Sequence, residues 1–204
     1  MKRIIMLSVI FVMVISVSFG CDNKPKENIN QSEPGTSEEL NYEGLVQYYA
    51  EQHGVSAKEA KMAINRMRIL QKESDETEEI KYRVLTIPLS AECQYEPILE
   101  LYVETSSGVD DWKISRIKGS SFVGEINDDS WQFAGNVAFW LREDRRVEYT
   151  VNGDFGKNSI AKAHPIITID ADGKEGQISY QFEEDKGELK NSAYCDQHDW
   201  ITFK

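Results

Sequence analysis

The stretch WQFAGNVAFWLREDRRVEYTV, residues 131–151, decides the fold class, because apolar side chains recur in it at every second position. Its first half places one set on the same side of an extended chain: Trp131, Phe133, Gly135, Val137, Phe139 and Leu141. After the polar residues 143–146, the second half repeats the pattern with Val147, Tyr149 and Val151. Strict alternation is typical of a strand with one buried face, and the short polar break predicts an antiparallel hairpin.

The same period of two recurs along the rest of the chain. It is present in residues 82–87, 97–106 and 178–182, and shorter candidate strands are 112–118, 165–170 and 199–203. The separators have turn composition and leave room only for hairpins. About eight strands joined in this way predict a mainly β protein, with an antiparallel β-sandwich or barrel over residues 80–204.

Residues 41–72 follow helical periodicity instead. Two apolar stripes are visible: Tyr42, Leu45, Val46 and Tyr49, then Ala60, Ala63, Ile64, Met67 and Leu70. Between them, Gly54 suits the left-handed position after a helix, and Ser56 with Glu59 has the pattern of a capping box. A short helical hairpin packed on the β domain is predicted, and the acidic segment 73–79 is interpreted as a linker.

The charge of the chain excludes one interpretation of this hairpin. Two helices around a tight turn also resemble a DNA-binding helix-turn-helix. However, the chain has a formal net charge of −12 at pH 7. A surface of that sign repels phosphate backbones, so no nucleic-acid partner is expected.

The first residues, MKRIIMLSVIFVMVISVSFG, have the order of a signal peptide: basic residues, an apolar run and small residues before a cleavage site. The apolar run from Ile4 to Phe19 is shorter than the ~20 residues that span a bilayer comfortably. Cleavage of residues 1–20 is therefore predicted. An uncleaved membrane helix is the alternative.

The junction Val17-Ser18-Phe19-Gly20-Cys21 resembles the lipobox of bacterial lipoprotein signal peptides. The resemblance covers only residues 1–21, and the overall pattern looks like the small lipoproteins of Gram-positive bacteria. It implies that the Cys21 sulfur receives a diacylglycerol and becomes the first residue of the mature chain. The implied location is the extracytoplasmic face of the cell membrane, with the lipid bilayer as partner through the Cys21 anchor.

Composition and cysteine count agree with this predicted location. Residues 22–39, DNKPKENINQSEPGTSEE, have almost nothing apolar to bury, so residues 21–40 are predicted to be the lipidated cysteine and a disordered tether. The chain has three cysteines, an odd number for an exported protein. If Cys21 is lipidated, Cys93 and Cys195 can pair as a disulfide, and two unpaired thiols are the alternative.

No catalytic or metal-binding motif is recognisable. The spacing of Cys195 and His198 is that of metal ligands, and Cys93 would add a third, but structural zinc requires four. The other histidines, His53 and His164, have no recognisable partner in the sequence. We therefore expect no cofactor, no metal and no enzymatic activity.

Trp140 is the candidate contact for a ligand. It lies off the face that carries Trp131, Phe133 and Phe139, so it points toward the helical hairpin, a partner or solvent. Exposed aromatic side chains of a β domain can stack on sugars or anchor a protein partner. The sequence favours a non-catalytic binding module for a protein or cell-wall ligand. A hydrolase, with His198 near Asp199 and another carboxylate, and a carrier of a small apolar ligand inside a β-barrel are the alternatives.

Overall fold

The computed structural model describes residues 33–68, 80–91, 96–106, 111–123, 131–158, 162–182 and 188–204. These ranges contain two helices, α1 (Tyr42–His53) and α2 (Ala57–Arg68), and nine strands. The strands are β1 (Gly35–Thr36), β2 (Lys81–Pro88), β3 (Ile98–Ser106), β4 (Lys113–Val123), β5 (Trp131–Glu143), β6 (Arg146–Lys157), β7 (His164–Ile169), β8 (Glu175–Gln181) and β9 (Lys190–Thr202).

The strands form two antiparallel sheets. The four-stranded sheet has the order β1-β2-β3-β4, and the five-stranded sheet has the order β7-β8-β5-β6-β9. The hairpin predicted from residues 131–151 is β5–β6, in which Val137 pairs with Val151 and Phe139 with Tyr149. The predicted fold class is therefore confirmed, in its sandwich form and with the helical hairpin before β2 and the strands that follow it.

The core lies between the two sheets. Leu99, Leu101 and Val103 of β3 are buried in one cluster with Val137 and Phe139 of β5. The four-stranded sheet is also buried on its other face, where both helices pack. For that reason β2 and β3 are buried almost continuously, whereas in β5 and β6 buried positions alternate with partly or fully exposed ones.

Capping residues and a glycine at the helix ends determine the helical hairpin. The Asn41 side chain caps α1 by accepting a hydrogen bond from the backbone N–H of Gly44 at 2.8 Å. Gly54 follows α1 in the left-handed conformation, with φ of 60°. The predicted capping box is present, since Ser56 Oγ accepts from the Glu59 N–H at 3.3 Å and Glu59 accepts from the Ser56 N–H at 2.9 Å. The face buried against the four-stranded sheet contains Leu45, Val46, Ala60, Ile64 and Met67.

The first sheet begins earlier than the sequence predicts. The range 21–40 is predicted to be a tether, yet Gly35 and Thr36 pair with β2, and the Leu40 N–H donates to the Tyr82 carbonyl oxygen at 2.8 Å. This pairing uses backbone hydrogen bonds along the edge of β2, so it needs no apolar side chain. A composition with little to bury therefore does not reveal it.

Several predictions fall outside the described residues. They are the signal peptide 1–20, the tether from Cys21 to residue 32, and the linker 73–79. Cys93 also lies outside them, so its pairing with Cys195 stays a prediction, and Cys195 itself is buried in the core between the sheets. Within the described part of the chain, neither helix is long and apolar enough to cross a membrane.

A glycine pair brings β5 and β6 into close contact beneath an aromatic ring. Gly135, which has φ of 155°, lies directly opposite Gly153. A Cβ atom on Gly153 would lie 2.3 Å from the carbonyl oxygen of Ala134 and 2.8 Å from Cζ of Phe133. Phe133 also packs on Phe155, with ring centroids 4.7 Å apart. Glycine at both positions therefore leaves room for the Phe133 ring against the strands.

We expect Gly153→Ala to lower the free energy of unfolding by about 2–3 kcal/mol, because the added methyl group meets backbone atoms of the hairpin. Gly119→Ala is the matched control, since the nearest atoms to its Cβ would be Sδ of Met67 at 2.8 Å and Cγ at 2.9 Å, which belong to a flexible side chain and not to the backbone. Its expected loss is smaller, about 1 kcal/mol. Urea denaturation followed by circular dichroism measures both, and equal losses would contradict the close-packed glycine pair.

Candidate functional site

The outer face of the five-stranded sheet is the candidate site. Both helices pack on the four-stranded sheet, so among the described elements none covers this face. Alternation turns the even-numbered residues of β5, β6 and β9 outward. Trp200 is 60% exposed and Tyr194 is 56% exposed, and both lie on β9. Large aromatic side chains on a solvated sheet face are the kind of feature that marks an interaction surface.

Strand register aligns two tryptophans across this face. Trp140 on β5 lies opposite Glu148 on β6, and Glu148 lies opposite Trp200 on β9. On the other side, Trp140 lies opposite Glu175 of β8. Neighbouring strands are ~4.8 Å apart, so the two tryptophans are roughly 10 Å apart across the sheet. We call this row, Trp140, Glu148 and Trp200, the indole row.

Glu148 is held at the centre of the indole row by two neighbours. Nε of Arg142 donates to its carboxylate at 2.5 Å, and Nε2 of His198 lies 2.9 Å from its other oxygen. The hydrogen bond from Arg142 and then that from His198 lower the pKa of Glu148 below its ordinary value. The carboxylate is therefore ionised at neutral pH.

Guanidinium groups orient both indole rings. The guanidinium carbon of Arg146 lies 4.5 Å from the centroid of the Trp200 ring, and that of Arg142 lies 5.6 Å from the Trp140 ring. A guanidinium over an aromatic face is an attractive cation–π contact. Each arginine therefore favours one orientation of its tryptophan ring.

Neutral polar side chains lie in the next rows of the same face. Asn136 Oδ1 accepts from Ser179 Oγ at 2.6 Å and from Gln177 Nε2 at 3.1 Å. Asn152 Nδ2 donates to the Tyr194 hydroxyl at 2.6 Å and to Oδ1 of Asp196 at 3.3 Å. Amides and hydroxyls both donate and accept hydrogen bonds, so these rows present both kinds of group beside the indoles.

The sequence identified part of this surface. Trp140 is half-buried on the outer face, away from the helical hairpin, so a hairpin contact is not what it makes. The sequence did not identify Trp200 and Glu148 as partners of Trp140, because a single chain does not show which strands are neighbours. One signal was available in the sequence: by alternation, each of these residues lies on the opposite side of its strand from the buried residues.

The other candidates do not converge. Alternation places Cys195 in the core and His198 on the outer face, so this pair does not share a metal site. His53 is the last residue of α1, and its ring faces Glu100 of the four-stranded sheet. His164 lies on β7, at the opposite edge of the five-stranded sheet from the β9 strand of His198. Within the described residues, no three His, Cys, Asp or Glu side chains are grouped as metal ligands.

A second polar cluster is buried between the helical hairpin and the four-stranded sheet. Its centre is Glu100 of β3, which is 1% exposed. The carboxylate accepts hydrogen bonds from the hydroxyls of Tyr102 at 2.6 Å, Tyr48 at 2.9 Å and Ser121 at 3.1 Å. Nε2 of His53 lies 3.5 Å from it. We call these residues the Glu100 cluster.

The Glu100 cluster is ionised at its centre. Burial raises the pKa of Glu100, but the contacts with His53, Tyr102 and Tyr48 lower it by more. The pKa of Glu100 therefore lies below its ordinary value. Burial and the charge of Glu100 raise the pKa of Tyr49 to about 12. At neutral pH the carboxylate is therefore charged, and the surrounding phenols donate hydrogen bonds to it.

The Glu100 cluster contains a serine, a histidine and an acid, but not in the geometry of a catalytic triad. Ser121 Oγ lies 3.2 Å from Nε2 of His53, and the Glu100 carboxylate approaches the same nitrogen. In a triad the acid binds the other ring nitrogen and so leaves Nε2 to the serine. Ser121 instead donates directly to Glu100, which is the arrangement of a structural hydrogen-bond network.

We expect Glu100→Gln to cost about 2 kcal/mol of unfolding free energy at pH 7, because three hydroxyls lose a charged acceptor. The folded pKa of Glu100 lies below the unfolded value of about 4.3, so its stabilisation is present above that value. It is lost as the pH falls through the folded pKa. The difference between wild type and variant should therefore shrink at acid pH in urea denaturation.

Glu43→Gln is the control for this comparison, since it removes an exposed carboxylate from the same hairpin. We expect it to change the free energy of unfolding by less than about 0.5 kcal/mol. A difference between wild type and Glu100→Gln that does not depend on pH would contradict the charged state of the Glu100 cluster.

Comparisons with protein-family models, with curated proteins and with solved structures found no match for this chain. The candidate site is therefore defined by its own geometry: an indole row on a sheet face that no described element covers, flanked by amide, hydroxyl and carboxylate side chains.

Proposed function

We propose that this protein is a membrane-anchored, extracytoplasmic lipoprotein that acts as a non-catalytic binding module. Its binding surface is the outer face of the five-stranded sheet, and its ligand is a protein or cell-wall component. The observation that carries the proposal is the exposure of Trp200, at 60%, in one row with the half-buried Trp140.

Aromatic exposure supports binding on energetic grounds. Tryptophan is enriched among the residues that dominate binding energy, because it buries a large apolar area at low cost in conformational entropy. Arg142 and Arg146 already restrict the rings before any ligand arrives. A restricted ring loses less entropy on binding, so the indole row is preorganised.

The point of chain entry supports an anchored module. The described chain enters through β1, an edge strand of the four-stranded sheet, so it joins the sheet that does not carry the indole row. Between Cys21 and β1 the sequence is polar, with almost nothing apolar to bury. An anchor at Cys21 would thus connect to the body through the sheet that does not carry the indole row.

The hydrolase alternative has weaker support. It requires His198 beside Asp199 and a second carboxylate in one cleft. His198 does lie beside Glu148, but Asp199 is turned to the opposite side of β9 by alternation. Binding is therefore favoured over catalysis at this surface.

The anchor is tested with Cys21→Ala. We expect wild-type protein in the membrane fraction, with an intact mass that includes a diacylglycerol on Cys21, because two acyl chains hold a protein stably at a bilayer. The Cys21→Ala chain should lack that mass and leave the membrane fraction. Unmodified wild-type protein, or a variant that stays on the membrane, would contradict the anchor.

The binding surface is tested with Trp140→Ala and Trp200→Ala. The full chain in mild detergent is mixed with membrane-free cell envelopes of the source bacterium, and the co-sedimenting fraction is measured. Each variant should bind at least ~10-fold more weakly, a change that corresponds to ~1.4 kcal/mol.

Ile80→Ala is the matched control for these variants, because it removes an exposed apolar side chain just before β2 on the other sheet. It should bind as wild type does, and circular dichroism should show that all variants are folded. Wild-type binding by both tryptophan variants would contradict the assignment of this surface.

A further inference from the structure

The indole row has a polar centre, and this restricts the kind of ligand that fits it. Between Trp140 and Trp200 stands the ionised carboxylate of Glu148, hydrogen-bonded by Arg142 and His198. The buried centres of protein–protein interfaces are depleted of charged residues, because a charge that is covered without a new partner loses its hydration. A protein docked on this row would cover that carboxylate. A ligand rich in hydroxyl groups would instead hydrogen-bond to it.

The surface is acidic rather than basic. Arg142 is compensated by Glu148 at 2.5 Å, and Arg146 is compensated by Glu143 at 3.4 Å. Further carboxylates on the same face add negative charge: Glu175 at the end of the row, and Asp154 and Asp196 in the rows beyond it. With the net charge of −12 on the whole chain, no positive field remains to attract a phosphate-bearing polymer. The electrostatics therefore disfavour an anionic ligand, whereas the hydroxyls of a neutral one can hydrogen-bond to the carboxylates.

The spacing and composition fit a chain of sugar rings. The C–H face of a pyranose stacks on an indole, and its hydroxyl rim both donates and accepts hydrogen bonds. Two indoles roughly 10 Å apart leave space between them for a hydroxyl-rich unit above Glu148. Asn152 and Tyr194 extend the polar surface on the neighbouring row.

We infer that the outer face of the five-stranded sheet binds a neutral glycan chain that runs across β5, β6 and β9. Sugar rings stack on Trp140 and Trp200, and the hydroxyls between them hydrogen-bond to Glu148 and His198. This inference rests on the proposed function, since it names the ligand class of the same surface.

The test separates three chemical classes from one source. Membrane-free envelopes of the source bacterium are divided into an extracted protein fraction, a protease-treated neutral polysaccharide fraction and an anionic polymer fraction retained by an anion exchanger. Each competes for binding of the full chain to whole envelopes. We expect the neutral polysaccharide to abolish binding and the other two fractions to leave it unchanged.

The outcomes are distinguishable. If whole envelopes retain the chain but the protein or the anionic fraction is the competitor, the glycan assignment is overturned and the proposed function stands. If no envelope preparation retains the chain, both are overturned. If the neutral fraction competes with wild type but the Trp200→Ala chain binds it equally well, the glycan lies elsewhere and the inference is wrong.

Two further readouts apply to the neutral fraction. Trp200→Phe, which keeps an aromatic face, should retain binding to within a few-fold, whereas Trp200→Ala should lose at least tenfold. Raising the salt concentration about tenfold should change the affinity for this fraction by less than twofold, because a neutral ligand has no charge to screen. A steep salt dependence would mean that the ligand is charged and would overturn the inference.

Discussion

The burial of β3 on both faces is the constraint on which the rest of the structure depends. Leu99, Leu101 and Val103 fill the core between the sheets, while Glu100 and Tyr102 face the helical hairpin. A strand covered on both sides requires two partner layers, and the chain supplies them as the five-stranded sheet and the hairpin. Since the hairpin covers the four-stranded sheet, no element in the described part of the chain remains to cover the outer face of the five-stranded sheet. The indole row is exposed for this reason.

The Glu100 cluster is the polar part of the hairpin interface. Apolar side chains such as Leu45, Val46 and Ile64 supply buried apolar area, which fixes the distance between the hairpin and the sheet. Apolar contacts alone would still allow the hairpin to shift along the sheet. The hydrogen bond from Tyr48 on α1 to Glu100 of β3, and the contacts of His53 Nε2 with Tyr102 and Ser121, fix a direction as well. A buried carboxylate is costly without donors, and here hydroxyls from both the helix and the sheet supply them. The Glu100 cluster therefore stabilises one position of the hairpin on the four-stranded sheet relative to positions shifted along it.

The sequence predicted the elements better than their arrangement. Alternation in residues 131–151 predicted β5 and β6, and Ser56 with Glu59 predicted the start of α2, because both signals are local. The strand β9 was predicted only over 199–203, although it begins at Lys190, since the stretch from Lys190 to Asp196 has no apolar alternation. Its backbone pairs with the long β6, and that partner is not visible from the residues of β9 themselves. The strand β1 was missed for the same cause, since its partner β2 is not visible from the residues of β1. In the candidate site, alternation showed that Trp140 lies off the buried face of β5. Its alignment with Glu148 and Trp200 depends on the register of three strands, which the sequence does not show.

Stability does not explain the indole row. Exposed ion pairs such as that of Arg142 with Glu148 contribute little to folding, and an indole that is 60% exposed leaves much of its apolar area in water. A sheet face that needed only to be solvated would be satisfied by small polar residues, as it is at Thr150 and Ser179 on the same surface. Exposed tryptophans on an open face also favour association between chains, which is a cost for the isolated protein. A ligand that covers the rings would offset that cost, and the polar centre of the row would then require groups that hydrogen-bond to Glu148.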